Sequence, residues 1–407
     1  MSDYLYLDYA ATAPLSQVIT QNYFNSIELY GNPASYHKAG EKAYQTLMQS
    51  KSNILNSLGH NADWDIFFTS GATESINTVI QAIKPSLLIT TAVEHKATYA
   101  AISKYLDKKA VVHKISPLGI YNSINTEGGI KFSIGKLPKK IKAGPILVSL
   151  IAVNNETGDI IPAEKYRVIK NILTKQYPNN KVYLHLDYTQ GFCKIPNYDL
   201  SEVDCYSFSG HKIGFYKSFG GLIYKKAISD VFSTCPLIVG GNQQNGLRSG
   251  TENPQFVFLL SKVIESHTKN IEKNYFKAKV LADCFINLIQ TTAKQNNITL
   301  SINAINRREA SPYIINFSML GIEGESLSSM LGDNVAISTG SACNSSDLIG
   351  SSVIKEYYVK HEQSDMLANC AVRISFDHTL EIDQIFEIFK PNFENAVKLL
   401  ARAAAIN

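Results

Sequence analysis

Much of what would place this chain outside the ordinary globular proteins is missing from it. Six cysteines in 407 residues are too few for a disulfide scaffold. They are Cys193, Cys205, Cys235, Cys284, Cys343 and Cys370, and no two are spaced as a Cys-x-x-Cys zinc or redox motif. A cytoplasmic protein with reduced, mostly buried thiols is expected. Long apolar runs are absent: the most apolar stretch, Ile146 to Val153, falls far short of the roughly 20 residues of a membrane-spanning helix. Met1 to Ala10 has no basic region followed by an apolar core, so neither a signal nor a transit peptide is expected. Charge of one sign is not in excess. The 39 Lys+Arg and 35 Asp+Glu leave a net +4, too mild to argue for direct nucleic-acid binding but tolerant of an anionic cofactor. Internal repeats and low-complexity tracts are also lacking.

What is present is an ordinary soluble composition, with 45% hydrophobic and 18% charged residues. At roughly 150 residues per domain the length allows two or three domains. The first two-thirds alternates strand-like and helix-like segments. Strands are predicted at 66–69, 87–91, 111–114, 146–153, 182–187, 205–209 and 221–224. In Thr73 to Ile83 the apolar residues Ile76, Val79, Ile80 and Ile83 share one helical face. Looser helical patterns cover 40–58 and 163–175. Alternation of this kind implies an α/β fold, mainly a parallel sheet with helices on both faces. Near Pro254 the texture changes to one long helical stretch, Phe256 to Gln290, then short strands such as 313–318 and 372–376 and a C-terminal helix containing Phe393 and Val397. This reads as a smaller α/β domain, with 14–265 the large domain and 1–13 plus 266–407 the small one.

Four segments could carry chemistry. Thr69-Ser70-Gly71-Ala72-Thr73-Glu74 joins a strand to a helix, and its small residues let backbone N–H groups approach an anion at the helix N-terminus. On this segment alone a plain capped turn is the stronger reading. Asp187 ends a strand, where parallel sheets bind ligands and a carboxylate can pair with a protonated ring nitrogen; a helix cap is the alternative. Lys212 follows Ser209-Gly210-His211 just past another strand end. A solvated lysine is the ordinary alternative, but Asp187 for a ring nitrogen and Lys212 for an aldehyde are what pyridoxal phosphate needs. Lastly, Cys343 sits in the small, polar run Ser338 to Ser346, which reads as a mobile loop. A cysteine there is a candidate nucleophile, because free cysteines are usually buried. The other five read as structural. No metal site is expected.

These segments belong to a larger set. Tyr6 to Thr12, Gly31 to His37, Ser70 to Glu74, Glu94-His95-Lys96 and Val153 to Gly158 come first, followed by His185-Leu186-Asp187 with Gln190, and Ser209 to Lys212. Arg248 to Asn253, Gly340 to Cys343 and Val372 to Ser375 complete it. Ten motifs in this order resemble the cysteine desulfurases, fold-type I pyridoxal 5'-phosphate enzymes of the class V aminotransferase group, over nearly the whole length. The Gly-Ser-Ala-Cys segment is similar to the subgroup that feeds iron–sulfur cluster assembly or RNA thiolation. The resemblance implies that Lys212 binds the cofactor aldehyde and moves the Cα proton. It implies that Asp187 pairs with the ring nitrogen, Gln190 bonds the ring hydroxyl and His95 stacks on the ring. Ala72, Thr73, Ser209, Gly210 and His211 would hold the phosphate, joined by Thr251 from the other subunit of a homodimer. Asn155 would lie against cofactor and substrate, and with Arg373 would bind the carboxylate of L-cysteine. Cys343 would take the sulfur as a persulfide, leave L-alanine, and pass the sulfur to an acceptor protein. A selenocysteine lyase, a C–S lyase, an aminotransferase or a non-catalytic scaffold are the alternatives on this fold. The chain departs from the family pattern at Phe215-Tyr216-Lys217-Ser218, where Gly-Pro-Lys-Gly is usual, at Gly240-Gly241-Asn242, at Ala13, and in the short stretch Phe376-Asp377-His378.

Overall fold

In the computed structural model the described residues are 4–122, 134–339, 350–359 and 361–404. The alternating segments form a seven-stranded sheet: β1 (Trp64–Thr69), β2 (Leu87–Thr91), β3 (Val111–Ile115), β4 (Ile146–Ile151), β5 (Val182–Asp187), β6 (Cys205–Ser209) and β7 (Gly220–Lys225). Their order across the sheet is β1-β7-β6-β5-β4-β2-β3. The pairs from β6 through β5, β4 and β2 to β3 are parallel, as expected. Strand β7 is antiparallel to both β1 and β6. The reason is connection length: residues 210–219 are too few for the crossover of a dozen or more residues that a parallel neighbour requires.

Helices α1 (Gln17–Ile27), α2 (Lys38–Ser57), α3 (Ala72–Ile83), α4 (Lys96–Tyr105), α5 (Glu164–Gln176) and α6 (Pro254–Lys269) cover the sheet. Strand alternation divides the core between its two faces. Phe67, Leu88 and Leu147 pack with Ile76, Val79 and Ile80 of α3. Ile66, Ile89 and Val148 pack with Leu47 of α2, Ile169 of α5 and Leu260 of α6. Every residue of β4 is buried, as a strand covered on both faces must be. Strand β3 closes one edge and exposes Val112 and Lys114, the lysine being a residue that discourages further strand pairing.

A second, antiparallel sheet follows: β8 (Leu300–Ile302), β9 (Ile314–Met319), β10 (Ser338–Thr339) and β11 (Ala371–Ser375), in the order β10-β11-β9-β8. It packs on α7 (Ile271–Gln295) and α8 (Lys390–Ala404). The N-terminal strand Leu5–Tyr6 pairs with Val335–Ala336, and Leu5 and Leu7 join the same apolar cluster. The single long helix expected over 256–290 is in fact two, α6 and α7, broken at Asn270 (φ −126, ψ 25). Their apolar faces serve different clusters: Val257 and Leu260 pack under the large sheet, Leu281 and Phe285 under the small one. Periodicity records which positions are apolar but not where the helix axis turns. Among the described residues no helix is long and apolar enough to cross a membrane.

Phe285 is fully buried, with ring centroids 5.2 Å from Phe376 and 5.0 Å from Phe389. Phe285→Ala is expected to cost about 3–5 kcal/mol of stability, seen as a lower denaturant midpoint, and a loss below about 1 kcal/mol would contradict this packing.

Candidate active site

Between β2 and β4 the order of the strands reverses. The chain leaves β2 outward to β3 and returns past it to β4, so the loops that follow β2 and β4 diverge. Ligands of open α/β sheets bind at the carboxyl ends of the strands at such a switch point. A cleft of about 450 Å³ lies at this end, and the strand ends deliver His95 after β2, Asn155 after β4, Asp187 on β5 and Lys212 after β6. Ala72 and Thr73 of α3, Thr189, Gln190, Ser209 and His211 also line it. The N-terminal segment adds Asp8, Ala10 and Ala11, and the small sheet adds Ser338 and Arg373.

The start of α3 faces this cleft. Its Ala72 N–H donates to Ser209 Oγ at 2.8 Å. Gly71 precedes it at φ 144, and a Cβ there would stand 3.2 Å from the same hydroxyl. Glu74 accepts from Ser70 N at 2.7 Å and from Arg248 Nε at 3.0 Å. Burial opposes its ionisation, but these bonds prevail and hold its carboxyl below the usual range. The result is a braced helix N-terminus, the local structure that receives phosphate groups.

Lys212 lies in the short helical turn Gly210–Ile213, closed by Gly214 at φ 76. A Cβ on Gly214 would come within 2.9 Å of the Pro14 carbonyl, so only glycine admits the N-terminal segment this close. That segment meets the lysine directly: Lys212 Nζ donates to the carbonyls of Ala10 and Ala11 at 2.7 and 2.6 Å. Asp187 is buried, with Oδ1 accepting from Thr189 N at 3.1 Å. His95 caps α4 by accepting from Ala97 N at Nδ1, 3.2 Å away, which leaves its ring proton on Nε2. Burial lowers its pKa, Asp187 opposes that shift, and Lys212 and Lys96 reinforce it. A neutral imidazole follows. His211 is also neutral, driven to about 4 by burial and by Lys212, with Nδ1 3.2 Å from Thr12 Oγ1.

Arg373 arrives from β11 and is already engaged. Nη1 donates to Asn155 O at 2.8 Å and Nη2 to Asp8 Oδ1 at 2.8 Å. Its Nε is buried with no partner among the described residues, as are Thr189 Oγ1 and Gln190 Oε1, while Gln190 Nε2 donates to Ala10 O at 2.9 Å. Three unpartnered buried polar atoms among the residues of one cleft are unusual in a native fold. No group of three His, Cys, Asp or Glu among the described residues is arranged to hold a metal ion.

The model of the aminotransferase class-V family matches residues 5–387. The chain belongs to that family, among its cysteine desulfurases. It is 32% identical to the cysteine desulfurase IscS of Dictyoglomus turgidum over 383 residues, which is 91% of this chain and 89% of that one. Among solved structures, a NifS-like protein from Rickettsia africae is 26% identical with a TM-score of 0.75, covering 97% of this chain and 99% of that chain. A protein called SspA, solved in complex with cysteine, is 25% identical with a TM-score of 0.69, covering 92% and 99%.

The cleft thus gathers His95, Ala72, Thr73, Asn155, Asp187, Gln190, Ser209, His211, Lys212 and Arg373, with Gly210 buried in the turn beneath. Thr251 is not among them. It is exposed and lines a different depression with Ser70, Gln244 and Arg248. Cys343 lies outside the described residues. Of the other cysteines, Cys193, Cys205 and Cys370 are buried, and burial raises the thiol pKa of these three and of Cys284, which keeps them protonated and poor nucleophiles. Sequence reading had not assigned roles to Asp8, Ala10, Ala11, Thr189 or Ser338. Two of these act through carbonyl groups, which leave no mark on residue type. The altered stretch after Lys212 is anchored by rings: Tyr216 stacks on Phe256 of α6 at 4.9 Å, and Phe215 meets Phe256 edge-on at 5.8 Å.

Replacing Ser209 by alanine would strand the buried Ala72 N–H. Ser209→Ala is expected to cost about 1–3 kcal/mol in chemical unfolding of the ligand-free protein, and an unchanged midpoint would contradict the brace.

Proposed function

We propose that this chain is a pyridoxal 5'-phosphate-dependent cysteine desulfurase, converting L-cysteine to L-alanine and placing the sulfur on Cys343. The observation that carries the reading is the meeting of Lys212, Asp187 and a braced helix N-terminus in one cleft with unpartnered buried polar atoms. The donor set fits the group: an amine for the aldehyde, a carboxylate for the ring nitrogen, and N–H groups for the phosphate. When bound, pyridoxal phosphate supplies an electron sink for the substrate Cα.

The remaining work falls to the protein. Asp187 presents a carboxylate whose Oδ1 is fixed by the Thr189 amide, so the ring nitrogen is met by an oriented acceptor. Ala72, Thr73, Ser209, Gly210 and His211 would hold the phosphate, and Gln190 would bond the ring hydroxyl. Lys212, held by two carbonyls, would bind the aldehyde and afterwards carry the Cα proton. His95, neutral with its proton on Nε2, would stack on the ring. Arg373 binds the substrate carboxylate with Asn155. Because the Asn155 carbonyl and Asp8 each hold one nitrogen of its fork, a substrate carboxylate must share or displace these partners. The Cys343 thiolate attacks the substrate sulfur; an S–S bond forms as the C–S bond breaks, and protonation of the carbon yields alanine. Ser338, five positions before Cys343 in the sequence, lines the cleft. The relative solved in complex with cysteine supports the choice of substrate.

Residues 14–265 form the cofactor-binding unit in this reading, with 1–13 and 266–407 as the small domain; the packing of Leu5 and Leu7 on the small sheet supports that split. A homodimer follows from Thr251, which stands outside its own cleft, and from the exposed Phe24, Tyr30, Tyr36 and Tyr44 near the N-terminus. In the dimer the second copy supplies Thr251 to the phosphate site. The acceptor is an iron–sulfur scaffold or a thiolation enzyme, and the setting is the cytoplasm.

Wild-type protein with a reductant is expected to release L-alanine from L-cysteine, and Cys343→Ser to retain bound cofactor with turnover reduced more than about 100-fold. Equal turnover in both would favour a lyase or aminotransferase. Sedimentation equilibrium should return twice the chain mass, and Thr251→Ala should weaken cofactor retention; a monomer with full retention would sink the shared site.

A further inference from the structure

Glu94 precedes His95, is only 5% exposed, and is used by none of the steps above. It occupies the place where β2 and β4 part. The β2–β4 ladder runs from Leu87–Ile146 to Ile89–Val148 and stops; beyond it the Glu94 carboxyl group meets Thr91 at the end of β2 and the backbone of Ile151 at the end of β4. Its Oε1 accepts from Thr91 Oγ1 at 2.7 Å and from Thr91 N at 3.3 Å. The same Thr91 Oγ1 accepts from Val93 N at 3.1 Å. Tyr99 OH, from α4, accepts from Glu94 N at 3.2 Å and donates to Thr91 O at 3.1 Å, while Asn154 Nδ2 donates to Val93 O at 3.2 Å. Oε2 is buried without a hydrogen-bond partner among the described residues. The turn between β2 and the His95 cap is therefore tied at Thr91 to this carboxyl group, and at the backbone of Val93 and Glu94 to Asn154 and Tyr99.

We propose that Glu94 is a positioning residue whose carboxyl group, wedged where β2 and β4 part, fixes the turn that carries His95 into the cleft. This rests on the reading of His95 as part of the catalytic machinery. The groups that face Glu94 are Asp187 on β5, Tyr99 on α4, Tyr121 after β3 and Tyr166 on α5. None of these four is a cation. Burial, with a smaller contribution from Asp187, pushes the Glu94 acid up to about 8. The wedge is then a neutral acid at neutral pH. Ionising it puts a second negative charge beside Asp187 with no counter-ion among the groups that face it, which loosens the turn. The sign for stability follows. The unfolded carboxyl ionises near 4.5 while the folded one keeps its proton, so this group's contribution is present below pH 4.5 and is lost as pH rises to about 8.

Three variants separate this role from simple packing. Glu94→Gln keeps the Oε1 acceptor and the length without the charge. Glu94→Asp keeps the titratable carboxyl group but is one methylene too short to reach Thr91. Glu94→Ala removes the wedge. At pH 7, kcat for alanine release is expected within about threefold of wild type for Gln and down roughly 30- to 100-fold for Asp and Ala, the scale of a small misplacement of a reacting group. The alkaline fall in kcat near pH 8 should move upward in Glu94→Gln. Unfolding midpoints of the ligand-free protein, followed from pH 4 to 9, give a readout independent of activity: wild type should lose stability relative to Glu94→Gln across that range. Parallel midpoint curves for wild type and Gln, or an Asp variant as active as the Gln variant, would overturn the proposal. If no protein releases alanine, the desulfurase reading fails, and the midpoint curves still decide whether the wedge is a neutral acid. Should the Ala variant not fold, the Gln–Asp comparison carries the test.

Discussion

Neighbouring strands β2 and β4 continue in opposite directions, and the gap this opens at the carboxyl edge of the sheet is what the rest of the site is built on. Four strand ends converge there, and each brings one polar side chain to the cleft: His95, Asn155, Asp187 and Lys212. A rigid sheet holds these positions because its strands are buried on both faces, β4 throughout.

The cleft is finished by elements from far along the chain. The small sheet contributes Arg373, and the first dozen residues contribute Asp8 and the carbonyls of Ala10 and Ala11. The N-terminal segment is bound on both sides, through Leu5 and Leu7 to the small sheet and through Ala10 and Ala11 to Lys212. It is therefore a mechanical link between Lys212 and Arg373. Electrostatics in the cleft follow from burial: the two histidines that line it are neutral, and the positive charge that remains is concentrated on the lysine and the arginine.

Much of the fold was legible because strand and helix periods survive in a single sequence. Strands 87–91, 182–187 and 205–209 stand at the predicted boundaries, since each is an apolar run ended by a polar residue that serves the site or its neighbourhood. The reversal of β7 was not legible, nor was the break at Asn270. The first depends on which neighbour is free to pair, and the second on which apolar cluster each half of the helix joins. The candidate site was legible where side-chain chemistry is distinctive, as at Lys212, Asp187, His95 and Arg373. It was silent at Ala10 and Ala11, where the functional atom is a carbonyl that every residue carries, and at Glu94, where function depends on burial.

By itself the sequence determined the α/β alternation, the ten ordered motifs and hence the family, because patterns of residue type carry that information. Only the tertiary structure decided that Asp8 holds one arm of Arg373, that Lys212 rests on two N-terminal carbonyls, and that Thr251 stands outside its own cleft. These are contacts between segments up to 365 residues apart, set by how two sheets and an N-terminal strap close on one another. Spacing along a chain cannot encode that closure, because it depends on the packing of all the segments at once.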